Sequence, residues 1–196
     1  LNQNTLARVS LKELAEQVAD PFRAAAEDKG LAFSIAVTAT LTVETDREKL
    51  QRILAHLLEN ALKFTTVGAI SISAAAEPGG RVHFIVSDTG EGMSPETVRR
   101  LFHEFFQVDN PGRDPHRGLG LGLVIGRRLA SQLGGQLHAS SELHHGSTFR
   151  LDLPRQPPRT NPVWRRPRNR FSPIYRRGGA PCRPTAKSPS EPSSPP

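Results

Sequence analysis

Apolar residues recur every three or four positions at Leu50, Ile53, Leu54, Leu57, Leu58, Ala61 and Leu62. That spacing predicts an amphipathic helix with one core stripe. Thr45-Asp-Arg-Glu48 reads as a capping box that opens this helix, which runs to about Phe64. An earlier capping box, Ser10-Leu-Lys-Glu13, opens a helix to about Lys29, stopped by Gly30. Pro21 interrupts that helix and is expected to kink it. Residues from Leu31 to Thr45 read as two short strands. After Phe64 the period changes to two: Ile70, Ile72 and Ala74 share one face, and Val82, Phe84 and Val86 share another. Pro78-Gly79-Gly80 makes the turn between these strands. Ser94-Pro95 sets an N-cap before a proline at the first helical position, opening a short helix towards Phe106. A polar loop from Gln107 to Arg117 follows. A helix then runs from about Gly120 to Leu133, and two strands end at Leu153. The order of elements predicts an α+β fold, a two-layer sandwich of a mixed sheet with helices on one face.

Composition divides the chain. The 196 residues carry a net charge of +7. Beyond Pro154, however, lie 10 basic residues against one acid, together with 11 of the 17 prolines. Residues 1–154 therefore read as the folded domain, slightly acidic. Residues 155–196 read as a disordered, basic Pro/Arg/Ser-rich tail with too little apolar surface to offset its ordering entropy. Such a tail is either an arm for nucleic acid or anionic lipid, or a segment without function of its own; no nucleic-acid partner is expected. No apolar run reaches the ~18–20 residues that span a bilayer. The single cysteine, Cys182, excludes an internal disulfide framework. The chain starts at Leu1 and its one methionine is Met93, so it is read as a fragment of a longer protein.

Candidate chemistry lies in four places. On the strong helix, His56, Asn60 and Lys63 fall on one stripe opposite the apolar one. Such a stripe is either a solvated face or a ligand set. Asn offers a neutral oxygen to a hard cation, Lys a point charge for phosphate, and His a hydrogen-bonding group that titrates near neutrality. Asp88-Thr-Gly90-Glu-Gly92 follows an apolar strand, as an ordinary turn or as a pocket whose carboxylate accepts from an exocyclic amine. Gly118-Leu119-Gly120-Leu121-Gly122 leads into a helix, either to allow close packing or to aim backbone amides at phosphate. It is neither a Walker loop nor a dinucleotide fingerprint. Gly146-Ser-Thr148 precedes the last strand.

In this order the boxes resemble the ATP-binding catalytic domain of sensor histidine kinases, from about Ser10 to Pro154. His56-Leu-Leu-Glu-Asn60-Ala-Leu-Lys63-Phe64-Thr65 is similar to the N box, and Val86-Ser-Asp88-Thr-Gly90-Glu-Gly92-Met93 to the first glycine box. Leu101-Phe-His-Glu-Phe-Phe-Gln107 is similar to the F box, and Arg117-Gly-Leu-Gly-Leu-Gly-Leu123 to the second glycine box. The resemblance implies a Bergerat-type fold with a mostly antiparallel sheet. It implies ATP and Mg2+ as cofactors, with Asn60 on magnesium, Lys63 on phosphate and Asp88 on the adenine amine. Gly90 and Gly92 would shape the adenine pocket. Gly118, Leu119, Gly120, Leu121 and Gly122 would frame the lid and phosphates, and Thr148 would lie beside Asp88 near the adenine. His56 matches the place where related hydrolases carry a water-activating Glu, which fits phosphotransfer better than hydrolysis.

Departures from the family pattern are Leu119, where Thr or Ser is frequent, and Gln107, where some members carry Arg. Arg113 or Arg117 could replace that cation. The implied partners are a dimerisation domain bearing the phosphoacceptor histidine and a response regulator or receiver domain. The implied location is a cytoplasmic domain of a parent that can be membrane-anchored. An ATP-hydrolysing or nucleotide-gated module of the same fold is the alternative. The seven histidines all lie beyond residue 50, so the acceptor histidine is expected on a separate domain.

Overall fold

The computed structural model describes residues 4–102, 121–157 and 164–165. Strand β1 (Asn4–Ser10) leads into helix α1 (Leu11–Asp28), followed by β2 (Ala32–Val37), β3 (Thr42–Asp46) and α2 (Arg47–Phe64). Then come β4 (Ala69–Glu77), β5 (Arg81–Asp88), the short α3 (Pro95–Arg100) and α4 (Gly122–Gln132). Strands β6 (Gln136–Glu142), β7 (Gly146–Pro154) and β8 (Trp164–Arg165) complete the described elements.

Five strands form the main sheet in the order β2-β4-β5-β7-β6. Only β2 and β4 run parallel; the other pairs are antiparallel. Along β5 every second residue is buried, and along β7 Phe149, Leu151 and Leu153 are the matching positions. One face of the sheet therefore holds the core and the other stays half-exposed. The core face packs on α1, α2 and α4 through Leu14, Val18, Leu50, Ile53, Leu54, Leu57, Leu58 and Leu133. This is the expected α+β two-layer sandwich with helices on one face.

Helix boundaries follow local chemistry. Ser10 Oγ accepts from the Glu13 N–H (3.4 Å), and Gly30 takes a left-handed φ of 70° just past the end of α1. Pro21 sits inside α1 without ending it. The start of α2 departs from the expected box: the N-cap is Asp46, the last residue of β3, one position after Thr45. Thr45 and Asp46 both pair with β1, opposite Ala7 and Leu6, and both are buried. Asp46 accepts from the Lys49 N–H (3.1 Å) and the Thr5 N–H (2.9 Å), and it pairs with the Lys49 ammonium (3.0 Å). Burial raises its carboxyl, but those donors and the ammonium outweigh burial and hold its pKa below the ordinary value. Stability from this group is therefore present above about pH 4 and is lost as pH falls through the depressed pKa. Asp46→Ala is expected to cost about 2 kcal/mol in a urea titration at pH 7, with the difference shrinking in acid.

A second, three-stranded sheet has the order β3-β1-β8. Neither β1 nor β8 was expected from the pattern. The tail assigned from residue 155 begins with a structured residue. The Arg155 N–H donates to the Gly80 carbonyl (2.8 Å), and its carbonyl accepts from the Glu44 N–H (2.9 Å). Further on, Trp164 and Arg165 pair in parallel with Asn4 and Thr5. Backbone pairing needs no apolar composition, which is why the tail's composition did not reveal it. Residues 158–163 and 166–196 lie outside the described residues.

Candidate functional site

Helix α2 presents His56, Asn60 and Lys63 on one face, as its period requires, and buries Leu50, Ile53, Leu57, Leu58 and Ala61 on the other. A freely solvated stripe would be as open as Arg52 and Glu59 on the same helix. His56, Asn60 and Lys63 are instead half-buried. Part of the cover is the start of α4: a Cβ placed on Gly122 would lie 3.5 Å from His56 Nδ1. His56 Nδ1 is 3.7 Å from the Glu59 carboxylate, while Nε2 is buried with no hydrogen-bond partner among the described residues. The Lys63 ammonium lies 5.2 Å from the centre of the Phe64 ring. Helix α4 begins at Leu121, which supplies no side-chain cap.

Asp88 ends β5, and its side chain points to the core face, only 8% exposed. Its Oδ1 accepts from the Gly90 N–H (2.9 Å) and the Ser147 N–H (3.3 Å). Burial pushes its pKa up, and the two N–H donors only partly oppose that.

The 88–93 loop is clasped from both sides. The Glu91 N–H donates to the Phe64 carbonyl at the end of α2 (3.2 Å), and the Glu91 carbonyl accepts from the His144 N–H (2.7 Å). Two glycines permit this. A Cβ on Gly90 would collide with the Phe64 carbonyl, and one on Gly92 with the Glu142 carbonyl. Gly92 also has a φ of 65°, which disfavours any side chain. Gly92→Ala is expected to lower stability by about 1–3 kcal/mol from the backbone alone, with the clash added. Thermal unfolding checks this, and an unchanged Tm would contradict the clasp.

Thr148 does not lie beside Asp88. In the β5–β7 ladder Thr148 faces Ser87, and their hydroxyls are 2.9 Å apart. Residues opposite each other share a face and successive residues alternate, so Thr148 lies on the half-exposed side of the sheet. Ser147 is the residue opposite Asp88. The sequence reading missed Ser147, although the alternation of Phe149, Leu151 and Leu153 already put residue 147 on the core face. Gly118, Leu119, Gly120, Gln107, Phe105, Phe106, Arg113 and Arg117 lie outside the described residues, as does the 107–117 loop. Leu121 and Gly122 are described, and both are half-buried at the start of α4.

The sequence and this architecture match known proteins. A family profile described as histidine kinase-, DNA gyrase B-, and HSP90-like ATPase covers residues 45–157. The aerobic respiration control sensor protein ArcB of Escherichia coli is 38% identical over 131 residues, covering 65% of this chain and 17% of that protein. The sensor histidine kinase AtsR of Burkholderia thailandensis is 36% identical over 150 residues, covering 74% of this chain and 25% of that protein. The chain thus spans a quarter or less of these two relatives. Among solved structures, full-length ShkA in complex with AMPPNP superposes with a TM-score of 0.70 at 37% identity, over 78% of this chain and 31% of ShkA. The catalytic domain of histidine kinase ThkA gives 0.68 at 25% identity, over 78% of this chain and 99% of that one. No helix among the described residues is long and apolar enough to cross a membrane. The Asn-bearing helix, the Asp-x-Gly-x-Gly loop and the sheet beneath them place this chain in the histidine kinase-, DNA gyrase B-, and HSP90-like ATPase family, as an ATP-binding catalytic domain of the sensor histidine kinase kind.

Proposed function

We propose that this domain binds Mg-ATP and transfers its γ-phosphoryl group to a histidine on a separate dimerisation domain, within two-component signalling. The observation that carries this reading is the half-buried stripe of His56, Asn60 and Lys63. Gly122 closes on it at one end, and the Phe64 carbonyl joins it to the Asp88 loop at the other. One cleft could then hold a purine at Asp88 and phosphates along α2.

The residues fit the ligand. Both described donors to Asp88 use Oδ1, which leaves Oδ2 to accept from the adenine amine. Ser147 holds that carboxylate in place. Asn60 offers a neutral oxygen to magnesium, which when bound would screen the phosphate charges. Lys63 supplies a positive charge to the phosphates. The uncapped start of α4 offers backbone amides, and Gly118, Leu119 and Gly120 would extend that surface. His56 Nε2, buried without a partner among the described residues, is a donor or acceptor that a bound phosphate or water would satisfy. Thr148 would support the adenine pocket from the far side of the ladder through Ser87.

The acceptor histidine nitrogen attacks the γ-phosphorus, the bond to the β–γ bridging oxygen breaks, and ADP leaves. Positioning and charge screening carry most of the catalysis. A response regulator or receiver domain is the downstream partner, and a cytoplasmic location follows from this role.

The test mixes the full chain with Mg2+, [γ-32P]ATP and a separately produced dimerisation domain. Acid-labile, base-stable label on that domain's histidine supports the proposal. Release of inorganic phosphate at the same rate with and without that domain would overturn it in favour of a hydrolase.

A further inference from the structure

A second cluster of ligating groups lies on the half-exposed face of the main sheet, away from the helices and the nucleotide cleft. Glu77 ends β4, His83 sits on β5, and Asp152 sits on β7 directly opposite His83. One ligand atom from each lies within 4.8 Å of the others. His83 Nδ1 is 3.2 Å from Glu77 Oε1, yet it is buried and makes no hydrogen bond among the described residues. Its side chain is only 16% exposed. A buried ring nitrogen left unsatisfied beside two carboxylates calls for a proton or a cation. On the neighbouring strand β6, His138 Nε2 is 3.6 Å from Asp152 Oδ2. Arg150 fills the middle: its Nε donates to Asp152 Oδ1 (2.9 Å), and its Nη2 pairs with Glu77.

We propose that Glu77, His83 and Asp152 form a binding site for a borderline transition-metal cation, with Zn2+ the best fit. Imidazole and carboxylate together suit zinc, whereas a wholly oxygen-based set would suit magnesium or calcium. In the metal-free protein the Arg150 guanidinium is the counter-charge for both carboxylates. Zinc replaces it there, and Arg150 swings to solvent. Bound metal ties the β4–β5 hairpin to β7, three strands of one sheet, so it stabilises the fold. The site is independent of the nucleotide, because its side chains occupy the opposite face of the sheet from Asp88.

The full chain, dialysed against chelator, is titrated calorimetrically with ZnCl2 at pH 7.5, with thermal unfolding measured in parallel. The proposal expects one zinc bound per chain at this site and a rise in Tm. His83→Gln and Glu77→Gln should each weaken that binding at least about tenfold and abolish the Tm rise. Arg150→Met should tighten it by removing the competing cation. AMPPNP binding and the far-UV circular dichroism of each variant report that it is folded. Zinc binding unchanged in both His83→Gln and Glu77→Gln would place the ion elsewhere, for example at the exposed His144-His145 pair, and would overturn the proposal. An Arg150→Met variant that binds zinc no more tightly would also overturn it, leaving an ion-pair network alone.

Discussion

Asp88→Asn is expected to weaken ATP-analogue binding by about 10–100-fold while leaving the nucleotide-free protein at least as stable as the wild type at pH 7. The affinity loss is that of one hydrogen bond to a charged acceptor, about 1.5–3 kcal/mol. Asparagine keeps an oxygen that can accept from Gly90 and Ser147, so the loop geometry is retained. What it removes is a buried charge. Burial raises the Asp88 pKa in the folded state, so ionising this group works against folding. Its contribution to stability is full below the ordinary carboxylate value of about 4 and is lost as pH rises through the raised pKa. The variant's advantage should therefore appear at neutral pH and vanish in acid. Isothermal titration with AMPPNP and thermal melts at pH 3.5 and pH 7 measure the two effects separately. Unchanged affinity would reject the adenine assignment, and a variant less stable than the wild type at pH 7 would reject the electrostatic account.

Asn60→Asp should cut phosphoryl transfer about 100-fold or more, with a much smaller loss of nucleotide affinity. The substitution changes little in shape on a half-buried position of α2. It sets a negative charge where the triphosphate and magnesium would lie, and transfer requires that region to stabilise charge spread over the γ-phosphoryl oxygens. A factor of 100 corresponds to about 2.7 kcal/mol in the barrier. The proposed adenine contacts at Asp88 would lie at the other end of the proposed cleft and should survive. Single-turnover transfer to the dimerisation domain, alongside AMPPNP titration, separates the two quantities. Equal losses in both would place Asn60 in general nucleotide binding instead.

Much of this was legible along the chain. The spacing of Leu50, Ile53, Leu54, Leu57, Leu58 and Ala61 marked both faces of α2, and with them the stripe carrying His56, Asn60 and Lys63. Gly30, Ser10 and Ser94-Pro95 punctuated the helices where expected. Strand β1 was not legible. Its buried Leu6 and Val9 break the alternation, and its partner β3 lies some 36 positions away. Thr45 and Asp46 are both good caps with a polar residue three positions on. Only the folded chain, in which the Asp46 carboxylate accepts from the Lys49 and Thr5 N–H groups, assigned the cap to Asp46. Similarly, Ser147 and Thr148 are chemically alike, and their roles differ by sheet face alone.

Local sequence by itself determined the helices, most strands, the polar stripe and the glycines that clasp the 88–93 loop. Those features depend on residues a few positions apart and on backbone angles that only some side chains allow. The tertiary structure alone decided which residue stands beside Asp88, which side chain caps α2, and that Glu77, His83 and Asp152 meet. Each of these depends on register between strands far apart in the chain, where a shift of one residue turns every side chain to the opposite face.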